Sequence, residues 1–327
     1  MNNNNINKGL FDFIGASPTA FHSVANAAKM LEAAGFSELC ESGEWQLSAG
    51  EGYYVTRNGS SLIAFRFPEG DFNGYMMTAA HGDSPAFRIK ENALLDGKDY
   101  VRFSTEKYGG MLCSSWMDRP LSVAGRITVR TADGIEIKNV DLREPVAIIP
   151  NVAIHMNRNA NDGASFNAAV DMLPLYCLGG DGTETLRARV AAAAGVDEKD
   201  ILTTDISVYN TQAGVEWGTL ISAPRLDDLQ CAYASLCAFI SACGEGMTAA
   251  SVPVYCLFDN EEVGSLTKQG ADSSFLTETL QHINAACGKD TIAYHRDLAG
   301  SFMVSADNAH AFHPAHAEKY DPKRRVY

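Results

Sequence analysis

The sequence predicts an α/β fold in two parts, and three observations carry that prediction. Amphipathic helical stretches alternate with short buried strands at both ends of the chain. The middle instead shows alternating strands around a turn. The length, 327 residues, is too great for one ordinary domain and suits two. A hydrophobic share of 46% against 20% charged residues places the chain among globular proteins rather than disordered ones.

The elements come in this order. The Asn run at residues 2–5 reads as a frayed terminus. Residues 17–35 form a helix: Ser17 can cap it, Pro18 suits its first position and Gly35 its stop. Phe21, Val24, Ala25, Ala28 and Leu31 share its apolar face. Residues 61–67 are an apolar strand, and a second apolar run, 75–80, ends directly at His81. Residues 123–130 and 134–140 flank Ala132-Asp133-Gly134 as a hairpin, with a third strand at 146–149. Residues 157–166 are an Asn-rich loop, 178–182 a Gly-rich turn, and 185–195 an Ala/Arg-rich helix. That Gly cluster lacks both a Walker lysine and the dinucleotide spacing, so no phosphate role is expected. Strand–turn–helix order returns after residue 214, with a helix at 226–243 and buried strands at 252–258 and 301–306.

The net charge is −14, from 26 basic and 40 acidic residues. This argues against nucleic acid or an anionic membrane as partner, since both require clustered cations. The N-terminus has no signal-type apolar core, and no run reaches the ~18 apolar residues of a membrane span. The eight cysteines form no C-x-x-C pair and read as buried free thiols of a cytoplasmic protein.

The informative residues are those directly after the strands. The 75–80 run leads into His81-Gly82-Asp83, the 252–258 strand into Asp259-Asn260-Glu261-Glu262, and the 301–306 strand into Asp307. Ligands of open α/β sheets bind beyond the carboxyl ends of strands. A fourth segment, SAPRLDD, sets Asp227 and Asp228 at the start of a helix. Each piece alone has a structural explanation: a hydrogen-bonded turn at His81, dipole-favouring acids at Asp227, Asp228, Glu261 and Glu262, an N-cap at Asp307. All four together match the needs of a Zn²⁺ or Mn²⁺ pair. A ligating His needs a carboxylate on its other nitrogen, which Asp83 can supply. Two metals need a bridging carboxylate, and adjacent glutamates can divide ligation and proton transfer.

Five stretches, HGDSPAFRIK (81–90), IPNVAIHMNR (149–158), SAPRLDDL (222–229), DNEEVGS (259–265) and SADNAHAFHP (305–314), resemble the signatures of the aspartyl aminopeptidases, dinuclear zinc metallo-aminopeptidases. The resemblance implies that His81 and Asp307 bind one metal, Asp227 bridges, Glu262 binds the second, Glu261 is the general base and Asp83 orients His81. Asp228 stands where the family usually has Asn. His155 matches a histidine that reaches a neighbouring subunit's active site, whereas its apolar surroundings alone suggest a packed core residue. The implied architecture is a metallopeptidase domain, residues 1–84 plus 214–327, with a central mixed sheet flanked by helices. A β-rich dimerisation domain, 85–213, interrupts it, and dimers build a dodecamer. Zinc is the implied cofactor, two ions per site, with Mn²⁺ or Co²⁺ as substitutes. Peptides with acidic N-terminal residues are the implied substrates.

The family pattern continues beyond Tyr327 to a last metal-binding His, for which His313 and His316 are poor substitutes. A truncated, non-catalytic chain and a related dinuclear deacylase are the alternatives. A shortened sheet is expected to expose an apolar edge.

Overall fold

The structure, a computed structural model, describes residues 3–179, 184–244 and 250–326. The expected Gly-rich turn at 178–182 lies largely outside them. The chain opens with α1 (Asn3–Ala16) and α2 (Ala20–Ala33), then strands β1 (Ser37–Leu39), β2 (Gly52–Arg57), β3 (Ser61–Arg66) and β4 (Tyr75–His81). Next come β5 (Ala86–Asp96), β6 (Tyr100–Tyr108), β7 (Leu121–Thr131), β8 (Gly134–Asp141), β9 (Leu175–Leu178), α3 (Leu186–Ala194) and β10 (Ile201–Asn210). The short pair β11 (Val215–Trp217) and β12 (Leu220–Ser222) precedes α4 (Leu226–Gly244), β13 (Val252–Phe258), α5 (Phe275–Ala286), α6 (Thr291–Ala299) and β14 (Phe302–Ser305).

Two six-stranded sheets result. The first is mixed, in the order β1-β2-β3-β13-β4-β14. Its strands β13, β4 and β14 run parallel, so their carboxyl ends lie at one edge. Helices α2 and α4 cover one face through Val24, Ala27, Leu31, Ala232, Leu236 and Phe239. Helices α5 and α6 cover the other through Phe275, Leu280, Ile283 and Tyr294. Burial on both faces explains why β3 and β13 read as continuous apolar runs rather than alternating ones. The second sheet, β8-β7-β10-β5-β6-β9, is antiparallel and packs on α3 through Leu186, Val190 and Ala191. The α/β class with an intervening β-rich sheet is thus observed.

Local readings need correction at several points. The asparagines at 3–5 are helical rather than frayed, because α1 is anchored by Leu10, Phe13 and Ile14 against Leu229 of α4. Helix α2 begins at Ala20 with Thr19, not Ser17, at the N-cap. The Ser17 hydroxyl is instead taken by Asn26 Nδ2 at 3.1 Å. Residues 146–149 make isolated bridges to Leu121, Met117 and Leu175 instead of a strand, framed by Pro145 and Pro150. Among the described residues no α-helix follows Asp307, and the one short 3-10 turn, Ala317–Lys319, has His316 at its N-cap, so Asp307 caps none. The eight thiols are free, but only Cys243 and Cys256 are buried, and Cys40 is exposed. Among the described residues no helix is long and apolar enough to cross a membrane. Strand β14 lies at the sheet edge with Phe302, Met303 and Val304 exposed.

One half-buried group makes the fold acid-sensitive. His22 on α2 is pushed down to about 4, chiefly by burial, with its Nδ1 2.8 Å from Thr19 Oγ1. The unfolded chain binds this proton from about pH 6.5 downward and the folded chain only near 4. Stability from His22 is therefore full above 6.5 and falls as pH drops towards 4, by about 2 kcal/mol at pH 5. Urea melts at pH 7 and pH 5 should show a smaller loss for His22→Gln than for the parent. An equal loss in both would show that His22 contributes nothing.

Candidate metal centre

Register brings the strand ends together. His81 pairs with Phe258, and Ala79 with Ser305, so the segments after β4, β13 and β14 leave the sheet side by side. Ala306 N–H donates to Ala79 O at 2.8 Å and Gly82 N–H to Phe258 O at 2.8 Å, extending both pairings past the strands. Asp227 and Asp228 reach the same edge from the start of α4. Their backbones are non-helical, so the regular helix begins only after them.

The buried His81 ring is the centre. Its Nε2 lies 3.3 Å from Asp227 Oδ1 and 3.9 Å from both Glu261 Oε2 and Asp307 Oδ1. Its Nδ1 lies 3.3 Å from Asp83 Oδ1 and 3.1 Å from the Asp83 carbonyl. A proton on Nδ1 satisfies Asp83 and leaves the Nε2 lone pair facing the other carboxylates, the arrangement a metal-ligating histidine needs. Asp83 is itself buried and also accepts the amide N–H groups of Glu261 and Glu262, each at 3.2 Å. The acidic turn after β13 is thus tied to the carboxylate that holds the histidine. Asn260, at φ +63°, makes the sharp turn that allows this.

Asp228 is an addition to the residues expected to act. It is fully buried, and its Oδ2 accepts the His81 backbone N–H at 3.2 Å. Ligand-capable atoms of His81, Asp228 and Asp307 all lie within 4.8 Å of one another. The DD dipeptide was the available signal, but sequence alone does not say which aspartate faces the histidine. Glu262 is half-buried, and a Cβ placed on Gly109 would come within 2.9 Å of its Cβ. His155 is exposed, contrary to the packed-core reading, and lies in the loop between β8 and β9. A polar loop without strand or helix gives Val152 and Ile154 no interior to enter. His313 and His316 are exposed as well.

The electrostatics describe a site built for a cation. Burial opposes charge on His81, but the Asp83 hydrogen bond and the charges of Asp83, Asp228 and Glu261 raise it to about 9. Burial pushes Asp228 up to about 6, and burial together with Asp83 pushes Glu262 up to about 7. Among the described residues no Lys or Arg pairs with Asp227, Glu261 or Asp307 within 4.0 Å. Asp228 Oδ1 is buried without a hydrogen bond of standard geometry, and the nearby Cys231 thiol, kept protonated by burial and by Asp228, is only a weak donor. One imidazole, several carboxylates and no compensating side-chain cation fit Zn²⁺, and protons held this way are those a metal displaces.

A three-layer α/β fold with imidazole and carboxylates at its parallel strand ends defines a metallohydrolase class. Comparison with known proteins makes this specific. Residues 13–327 match the family model described as aminopeptidase I zinc metalloprotease (M18), and the chain belongs to that family of zinc metallo-aminopeptidases. The probable M18 family aminopeptidase 2 of Clostridium novyi is 42% identical over 97% of this chain and 75% of its own length. That of Ectopseudomonas mendocina is 39% identical, over 96% of this chain and 73% of its own. Among solved structures, a chain of the Ape4 and Nbr1 complex superposes with a TM-score of 0.92 at 32% identity, covering 97% of this chain and 66% of that one. The S. cerevisiae mApe1 dodecamer gives 0.87 at 28% identity, covering all of this chain and 76% of its own.

Proposed function

We propose that this chain removes acidic N-terminal residues from peptides at the site around His81. The observation that carries this reading is the convergence of His81, Asp227, Glu261 and Asp307 at one sheet edge, with Asp83 bonding both the histidine and the glutamate turn. His81, Asp307, Asp227 and Glu262 would hold zinc, with Asp228 within reach as a further oxygen. Zinc held by these residues would supply a Lewis acid that polarises a carbonyl and acidifies a water molecule. Glu261, 48% exposed and not among the residues that would hold zinc, is the carboxylate left open to that water. It takes the water proton and delivers it to the departing amine, while Asp83 fixes the His81 tautomer and the backbone of the glutamate turn.

A cleft of about 540 Å³ opens beside Asp227 and carries Arg119, held by Gln212 Oε1 at 2.7 Å. Arg119 would be the cation this cleft offers to an acidic substrate side chain, which the chain's overall negative charge does not otherwise favour. The metallopeptidase part would comprise residues 1–84 and 214–327, and 85–213 would be the dimerisation domain. Assembly into a dodecamer is inferred from the S. cerevisiae relative, with dimers as the expected building unit. The exposed Leu112, Val152, Met156 and Val170 supply apolar surface for it. His155, in the same exposed loop, would reach a neighbouring subunit's site. The setting is taken to be cytoplasmic.

Metal content by mass spectrometry, with release of Asp or Glu from short peptides, tests this reading. Two zinc ions per chain with release of the N-terminal residue is expected. One ion or none, with no hydrolysis in excess Zn²⁺ or Mn²⁺, overturns it, and cleavage of N-acyl amino acids instead would favour a deacylase.

A further inference from the structure

We propose that Tyr108, delivered by the second sheet, is a positioning residue for the metal centre, acting through Asp83. This rests on the metal-site reading above and adds a residue to it. Tyr108 is the last residue of β6, and its register partner is Ala86, the first residue of β5. Strand β5 starts three residues after Asp83, so the β5–β6 pairing carries Tyr108 back to the point where the chain left β4. Gly109 then turns at φ +75°, where a side chain would strike Glu262. The phenol is left facing the buried carboxylate.

The direction of the hydrogen bonds is determined by their neighbours. Asn260 Oδ1 accepts from Thr267 Oγ1 at 2.7 Å and from Gln269 Nε2 at 2.8 Å. Its amide nitrogen must therefore donate, and it does so to Tyr108 Oη at 3.0 Å. With that lone pair taken from Asn260's side, the Tyr108 hydroxyl proton goes to Asp83 Oδ2 at 2.6 Å. Burial and the Asp83 charge raise the phenol above its ordinary range, so it stays a donor.

Asp83 consequently has four donors: His81 Nδ1, the amides of Glu261 and Glu262, and the Tyr108 hydroxyl. Three of these belong to residues of the proposed centre, and Tyr108 alone comes from outside it. Its bond sets where the carboxylate sits, and the carboxylate sets the His81 ring and the glutamate turn together. Because β6 belongs to the second sheet, the link also makes the geometry of the centre depend on how the two sheets are docked.

The test is Tyr108→Phe, which keeps the ring and deletes the one oxygen. Zinc affinity, measured by competition with a chromophoric chelator, should weaken about tenfold or more, and kcat should fall by about 10- to 100-fold with KM within about twofold. Tyr176→Phe is the control. It deletes another tyrosine hydrogen bond of the same second sheet, from Tyr176 Oη to the Glu184 carbonyl at 2.9 Å, which does not involve Asp83. It should leave zinc affinity and kcat unchanged. Equal losses in both variants would mean general loosening, and an unchanged zinc affinity in Tyr108→Phe would mean that Asp83 holds its place alone; either overturns the proposal. A parent chain that takes up no zinc overturns the metal-site reading and this proposal with it, whereas a zinc-binding parent with an indistinguishable Tyr108→Phe variant overturns only the proposal.

Discussion

Glu261→Gln should leave zinc bound and reduce turnover by about 10²-fold or more. The reasoning is geometric. Glu261 Oε2 stands 3.9 Å from His81 Nε2, beyond a hydrogen bond, so it is not committed to the imidazole. Its side chain is 48% exposed, whereas Asp228 and Asp83 are buried. A proton acceptor must reach solvent water, and the buried carboxylates are already committed to the backbone or to the histidine. Glutamine keeps the length and the backbone N–H bond to Asp83 Oδ1, so the turn is preserved while the base is lost. Peptidase assays beside metal analysis check this; full activity in Glu261→Gln would remove the residue from the mechanism.

Asp227→Ala should cost both metal ions, and turnover should fall by about 10²-fold or more with them. Asp227 Oδ1 makes the closest approach of any carboxylate to His81 Nε2, at 3.3 Å, and its side chain is 55% exposed towards the cleft. If Asp227 bridges two cations as proposed, its removal would leave them to repel one another. The neighbouring Asp228 provides the comparison. Asp228→Asn keeps an acceptor for the His81 N–H and should lower zinc affinity much less. If Asp227→Ala retains both ions while Asp228→Asn loses one, the bridging role passes to Asp228.

Much of the mixed sheet was legible because its strands are buried on both faces. Val252, Val254, Cys256 and Leu257 leave no doubt of an interior position, and the acidic or imidazole residue after each strand marks where the sheet meets solvent. The antiparallel strands β5, β6 and β10 were harder to read. Runs such as Arg88-Ile89-Lys90-Glu91 mix charge with apolar residues because one face of that sheet is wet. Helix α1 was missed because its propensity is poor and its stability comes from Leu229, more than two hundred positions away. The edge helices α5 and α6 were missed for the related reason that their apolar stripe makes sense only against Phe65, Tyr75 and Val254.

The sequence by itself determined which residue types end the buried strands and which open the helix at 226, and so the candidates His81, Asp83, Asp227, Glu261, Glu262 and Asp307. Strand ends are local features, written in the switch from apolar to acidic residues. Only the tertiary structure decided how those candidates face one another. It placed Asp228 within ligand distance of His81 and left His155 exposed. It also brought Tyr108 of the second sheet onto Asp83. These are contacts between segments up to about 150 residues apart, made by parallel register and by the docking of two sheets. No periodicity in one stretch of chain records which distant carboxylate or phenol will meet it, because that depends on the packing of every element between them.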